Sequence, residues 1–198
     1  MILAANANIK VFATGGVGGV HLDAEKTFDV SADLQELAQT PVTVISAGPK
    51  AILDLPKTLQ FLETLGVPVI TFGQDELPAF WSRSSGLRSP LRMNSAEEIA
   101  RSQLVREALS IPGGQLVANP IPAYAEIPFK EILPIIEKAH LEAKKANISN
   151  KNLTPFLLEK IFHLTDGTSL EANIELVKNN AFLACKVASS LITEKSKL

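Results

Sequence analysis

Thr14-Gly15-Gly16-Val17-Gly18-Gly19 places four glycines within five positions directly after the apolar run Ile9 to Ala13. A backbone without Cβ atoms bends freely and can bring its N–H groups against an anion, so a phosphate or a sugar could sit there. A tight turn that binds nothing is the plainer reading. The dinucleotide fingerprint is broken because His21 stands at its third glycine position, and the Walker pattern lacks its Gly-Lys-Ser/Thr. His21 closes the loop, where an imidazole either orders hydrogen bonds or handles a proton. His140 and His163 lie within helical patterns and read as structural or exposed.

Asp29 and Asp33 flank Val30-Ser31-Ala32, just ahead of Leu34-Gln-Glu-Leu37, where a helix begins. Two carboxylates and a hydroxyl could hold a hard divalent cation such as Mg²⁺ or Mn²⁺, or poise a proton. Capping by Ser31, with Asp33 on the helix dipole, is the alternative that spacing alone favours. Lys50 follows Val42-Thr-Val-Ile-Ser-Ala-Gly48, a run that predicts a buried strand. Desolvation at such a strand end favours the neutral, nucleophilic amine, and a Schiff base with an aldose C1 follows from that. The alternative is a surface lysine opening the next helix, although helix N-termini disfavour cations. Arg83-Ser-Ser-Gly86 and Arg88 either bind phosphate or are solvated loop residues. Glu171 and Asn173 come early in the last helical pattern, where an amide could offer both a donor and an acceptor to a base edge.

These residues need a scaffold, and the hydrophobic pattern supplies one. Ile9 to Ala13, Val42 to Ser46, Val67 to Phe72 and Gln115 to Ala118 are mostly apolar rather than alternating, as strands covered on both faces are. Helical patterns separate them. Ala51 to Leu65 carries Ile52, Leu55, Leu59, Leu62 and Leu65 on one face, and Ser95-Ala-Glu-Glu98 is a capping box opening a helix to about Leu109. The remainder predicts helices over Phe129 to Ala146, Thr154 to Leu164 and Ser169 to Leu191. The expectation is a single α/β domain, a mostly parallel sheet with a C-terminal helical layer, and loops over 81–90 and 119–128. Ligands in such sheets sit outside the carboxyl ends of the strands. Those ends are Thr14 to His21, Ser46 to Lys50, Phe72 to Asp75 and Ala118 to Pro120.

The 198 residues are 46% hydrophobic, with 19 Lys+Arg against 21 Asp+Glu and one cysteine, Cys185. This composition suits a soluble chain in a reducing compartment with no need of disulfides. A net charge of −2 without a basic stripe argues against a nucleic-acid partner, and no apolar run approaches a membrane span. The last three residues, Ser196-Lys197-Leu198, spell the C-terminal address for peroxisomal import, with a polar helix tail in the cytoplasm as the alternative.

Phe12-Ala-Thr-Gly-Gly-Val-Gly-Gly-Val-His21, Thr27-Phe-Asp-Val-Ser-Ala-Asp-Leu34, Ala47-Gly-Pro-Lys50, Leu116-Val-Ala-Asn-Pro120, Thr154-Pro-Phe-Leu157 and Ser169-Leu-Glu-Ala-Asn173 together resemble the pseudouridine-5′-phosphate glycosidase (pseudouridylate synthase, indigoidine synthase A) family. The likeness runs through nearly the whole chain, in order. It implies a three-layer α/β/α fold, a homotrimer, and reversible cleavage of the C–C glycosidic bond of pseudouridine 5′-phosphate to uracil and ribose 5-phosphate. By the same resemblance Lys50 is the Schiff-base lysine, and Asp29 is the ligand of a Mn²⁺ held largely through water. Ser31, Ala32 and Asp33 contact substrate, Thr14 lies in the phosphate region, and His21 and Asn173 fall at the uracil ring. Family members carry a segment upstream of Ile9 with an acidic proton donor and a further lysine. Neither has a counterpart here, so residues 1–198 are expected to form a domain shortened at its N-terminus.

Overall fold

The computed structural model describes residues 1–149 and 152–196. Lys197 and Leu198 of the terminal tripeptide therefore lie outside the described residues. Five strands form one sheet in the order β1-β2-β5-β3-β4, every pairing parallel. They are β1 (Val11–Ala13), β2 (Thr43–Ser46), β3 (Val69–Phe72), β4 (Leu91–Met93) and β5 (Gln115–Ala118). The central strands β2 and β5 are buried at every residue.

Successive side chains in a strand point to opposite faces, and here they build two separate cores. Val44, Val69 and Leu116 face one side with Leu34, Leu37 and Leu62, contributed by α3 (Ala32–Gln39) and α4 (Leu55–Thr64). Ile45, Ile70 and Val117 face the other with Ile99, Leu183 and Val187, from α5 (Ala96–Ala108) and α8 (Thr168–Lys195). That is the expected three-layer α/β/α architecture. The third core lies beyond the strand ends, where α6 (Phe129–Lys145) and α7 (Leu153–Leu164) bury Ile132, Ile136, Leu157 and Ile161 against Ala51, Ile52 and Trp81.

Three local features depart from the sequence-based expectation. The apolar period predicts a helix from Ala51, but α4 begins only at Leu55, because the Asp54 carboxylate caps it by accepting from Lys57 N at 3.0 Å. Strand β4, an edge strand of 3 residues, is too short to show a period. The short helices α1 (Ile2–Asn6) and α2 (Ala24–Thr27) are likewise absent from the hydrophobic pattern, since α1 buries none of its residues and α2 only Ala24.

The Ser95 half of the capping box at α5 forms as expected, while Glu98 reaches one residue further back than the N-cap. Ser95 Oγ accepts from Glu98 N at 3.2 Å, and the Glu98 carboxylate returns to Asn94 N at 2.6 Å. Ser95→Ala is expected to destabilise the chain by about 1 kcal/mol, a fall in Tm of roughly 2–4 °C. Thermal unfolding reads this directly, and an unchanged Tm would mean that Glu98 alone holds the helix start.

Candidate active site

Lys50 owes its place to two loops laid side by side at the carboxyl ends of β1 and β2. Ala47 N donates to Gly15 O at 2.8 Å, Val17 N to Gly48 O at 3.2 Å, and Lys50 N to Val17 O at 3.1 Å. Gly48 turns the chain with a φ of 86°, and the following Ala51, Ile52 and Leu53 are buried. Lys50 therefore stands in a buttressed turn after β2, and the alternative of a lysine opening the next helix does not hold, since α4 begins at Leu55. Its side chain is partly exposed, and among the described residues its ammonium has no carboxylate partner.

The acidic segment lies along the far side of the same glycine loop. His21 N donates to Asp29 O at 3.0 Å and Ser31 N to Gly19 O at 2.9 Å, with an antiparallel bridge between Val20 and Val30. Ser31 caps α3, its Oγ accepting from Asp33 N at 3.3 Å, and Ala32 opens the helix. Asp33 also reaches back, its Oδ2 accepting from Gly18 N at 2.7 Å. A side chain on Gly18 would collide with Ser31, so this approach requires glycine. Asp33 thus acts as a brace of the loop, whereas Asp29 lies beside the imidazole, its Oδ2 4.0 Å from His21 Nδ1. That nitrogen is buried and has no hydrogen-bond partner among the described residues. No group of three or more His, Cys, Asp or Glu able to hold a metal occurs among the described residues.

Thr14, at the head of the loop, donates its N–H to Ile45 O at 3.0 Å. Asn173, on the first turns of α8, is brought to the same loop, its Oδ1 standing 3.2 Å from where a Cβ on Gly15 would be. Glu171 is exposed on α8, its N–H bonded to Gly167 O. Arg83 is committed to the fold: its Nη1 donates to Ile121 O at 2.8 Å and its N–H to Glu126 Oε1 at 2.8 Å. His140 is structural as expected. Its Nε2 lies 2.9 Å from Ile52 O, and burial holds its imidazole below the ordinary range. A mostly apolar groove of about 920 Å³ runs from Asp29 past Leu53 and Leu55 to Leu133 and His140.

Four residues given no role above also shape the site. Thr58 Oγ1 accepts from Val20 N at 2.9 Å and donates to Asp54 O at 2.7 Å, tying the glycine loop to α4. Phe80, buried with a φ of 58°, lays its ring against Gly16, 2.6 Å from a Cβ position there. Asn180 and Asn119, both buried, bond to each other at 3.1 Å. The signal that could have marked Asn180 is a carboxamide at a core-facing position of an amphipathic helix.

The arrangement offers an unpaired amine, a bent glycine loop, a buried imidazole and a carboxylate at neighbouring strand ends. The chain is 63% identical over 193 residues to the pseudouridine-5′-phosphate glycosidase of Paracoccus denitrificans (strain Pd 1222), covering 98% of this chain and 64% of that protein. The Legionella pneumophila protein of the same name is 57% identical over 188 residues, covering 95% of this chain and 60% of its own length. Among solved structures, the prealnumycin C-glycosynthase AlnA in complex with ribulose 5-phosphate superposes with a TM-score of 0.93 at 30% identity, over 100% of this chain and 65% of that one. An indigoidine synthase A (IdgA)-like protein from Thermotoga maritima gives 0.85 at 37% identity, over 94% of this chain and 61% of that one. The chain thus spans less than two thirds of the length of these relatives. With residues 1–190 matched by the family described as indigoidine synthase A like protein, and with its strand-end loops arranged as above, the chain belongs to that family.

Proposed function

We propose that this chain carries the Schiff-base half of a C-glycosidase acting on pseudouridine 5′-phosphate. The observation that carries the reading is Lys50: a lysine without a carboxylate partner among the described residues, held beside the glycine loop at the carboxyl end of β2. The names of the curated relatives, and the ribulose 5-phosphate bound by AlnA, support a phosphosugar substrate.

Lys50 Nζ bonds C1′ as the C1′–O4′ bond breaks, and the proton lost from the amine passes to O4′, which opens the sugar ring. The C1′–C5 bond then breaks, its electron pair and a proton passing to uracil C5. Water hydrolyses the remaining imine to ribose 5-phosphate and the free amine, so the net reaction adds one water across the C–C bond. Thr14 belongs to the phosphate region, Ser31, Ala32 and Asp33 form the substrate-contacting turn, and His21 and Asn173 flank the base. Asp29, next to the orphaned Nδ1 of His21, fits a hard ion held by one carboxylate with water supplying the remaining oxygens. Mn²⁺ bound there would add positive charge near substrate oxygens. A homotrimer and peroxisomal delivery by the C-terminal tripeptide belong to the same proposal.

The test is borohydride trapping. Incubation with ribose 5-phosphate and borohydride is expected to leave one reduced sugar adduct, mapped to Lys50 by peptide mass spectrometry. No adduct, with sugar-phosphate binding retained, would replace the enzyme by a non-catalytic phosphosugar-binding protein.

A further inference from the structure

Asn180 is fully buried in the middle of α8, yet its carboxamide bonds to two distant chain segments. Its Nδ2 donates to Thr14 O at 2.8 Å and to Gly15 O at 3.1 Å. Its Oδ1 accepts from Asn119 Nδ2 at 3.1 Å, and Asn119 N in turn donates to Ser46 O at 2.7 Å. One side chain thereby links the ends of β1 and β5, and the Asn119 N–H ties the latter to β2. A buried carboxamide is expensive to leave unpaired, and this one is paired on both its oxygen and its nitrogen.

The direction of these bonds matters. Among the described residues no peptide is cis, and in a trans peptide the N–H points opposite to the C=O of the same unit. Thr14 O is drawn towards Asn180, so the Gly15 N–H is turned away from it. Gly15 O is drawn to Asn180 and to Ala47 N, so the Gly16 N–H is turned away as well. Among the described residues neither N–H has an acceptor, and both glycines are partly exposed. Val17 N and Gly18 N, by contrast, are bonded to Gly48 O and Asp33 Oδ2. The loop thus keeps two adjacent donors for something outside the chain, and consecutive amides of this kind make an anion-binding concavity.

We propose that Asn180, seated by Asn119, is a positioning residue that aims the Gly15 and Gly16 amides at the phosphate of the sugar substrate. The inference rests on the phosphosugar reading of the Lys50 site and adds the part of the fold that selects phosphorylated over free sugar.

Asn180→Leu keeps the side-chain volume and removes the donor. In the borohydride assay the wild-type chain is expected to be half-saturated by ribose 5-phosphate at far lower concentration than by ribose. In the variant the value for ribose 5-phosphate is expected to rise about tenfold to a hundredfold, with that for ribose and the trapping rate at saturation unchanged. A general loosening of the fold moves both sugars together, and that result would overturn the proposal. A second arm avoids Lys50 altogether: inorganic phosphate is titrated into ¹⁵N-labelled protein. The Gly15 and Gly16 amide signals are expected to move in the wild type and not in Asn180→Leu, and unmoved wild-type signals overturn the proposal. Absence of any sugar adduct while those glycine signals respond removes the Lys50 reading and leaves the clasp standing. If Asn180→Leu does not fold, Asn119→Ala keeps the donor without its seat and is expected to lose part of the phosphate preference; an unchanged preference overturns the proposal.

Discussion

Lys50→Arg is expected to abolish the reduced adduct with ribose 5-phosphate and, in any preparation that cleaves pseudouridine 5′-phosphate, to lower the rate by three or more orders of magnitude. Arginine keeps the charge and the long stem, but its guanidinium stays protonated and offers no lone pair for an imine. The fold is expected to tolerate the change. The Lys50 contact that fixes the turn is made by its main-chain N–H, donated to Val17 O at 3.1 Å, and the side chain is partly exposed. The Tm should therefore move little, as for substitutions away from the core. An adduct that persists in Lys50→Arg, or one that maps to another lysine, would remove Lys50 from the chemistry. Lys50→Met removes the charge together with the amine and should be equally silent.

Gly48→Ala is expected to be the most damaging single methyl group near the site. Gly48 has a φ of 86°, and a Cβ on it would stand 2.6 Å from the Pro78 carbonyl oxygen, which is backbone and cannot swing away. The left-handed conformation costs an alanine about 1–2 kcal/mol, and the overlap about 1–3 kcal/mol more. For a chain of this size the sum lowers the Tm by roughly 4–20 °C. Gly73→Ala separates the two contributions, since Gly73 has a φ of 75° with nothing within 4 Å of its would-be Cβ. If Gly48→Ala melts no lower than Gly73→Ala, the approach of Pro78 has no energetic weight. Gly48 also receives the Val17 N–H and lies two residues ahead of Lys50, so the same change should weaken sugar trapping in whatever fraction remains folded.

Much of the site could be read from local sequence because its parts lie at strand ends. Lys50 is legible because it follows a continuous β-branched run, and a parallel strand buried on both faces reads as such a run. Ser31 and Asp33 are legible as a cap, and the structure adds that Asp33 also braces Gly18, a contact that joins residues 15 apart in the chain. The start of α4 illustrates the limit. Ile52 falls in helical phase with Leu55 and Leu59, yet it belongs to a buried turn, and the better guide was Asp54 followed by Pro56, a cap with proline in the first turn. Asn180 could have been marked as a core-facing carboxamide, but its partners could not, because they are carbonyls 165 and 166 residues away. The packing of Phe80 on Gly16 depends on a backbone with φ of 58° that no periodicity signals.

The strand order β1-β2-β5-β3-β4 also dictates when this architecture can come into being. Strand β5 fits between β2 and β3, pairing Thr43 with Gln115 and Val69 with Leu116, so the sheet stays split until the chain has grown past Ala118. The Asn180 clasp to Thr14 then spans 166 positions, which places it among the last contacts available to a chain emerging from the ribosome. Closing such distant pairings costs loop entropy before it returns any contact energy, and topologies of this kind fold slowly. During synthesis the glycine loop exists long before the helix that aims it. The phosphosugar recognition proposed above would thus arrive late in folding, and a nascent chain halted before α8 would present Lys50 on a turn whose Gly15 and Gly16 amides are not yet aligned.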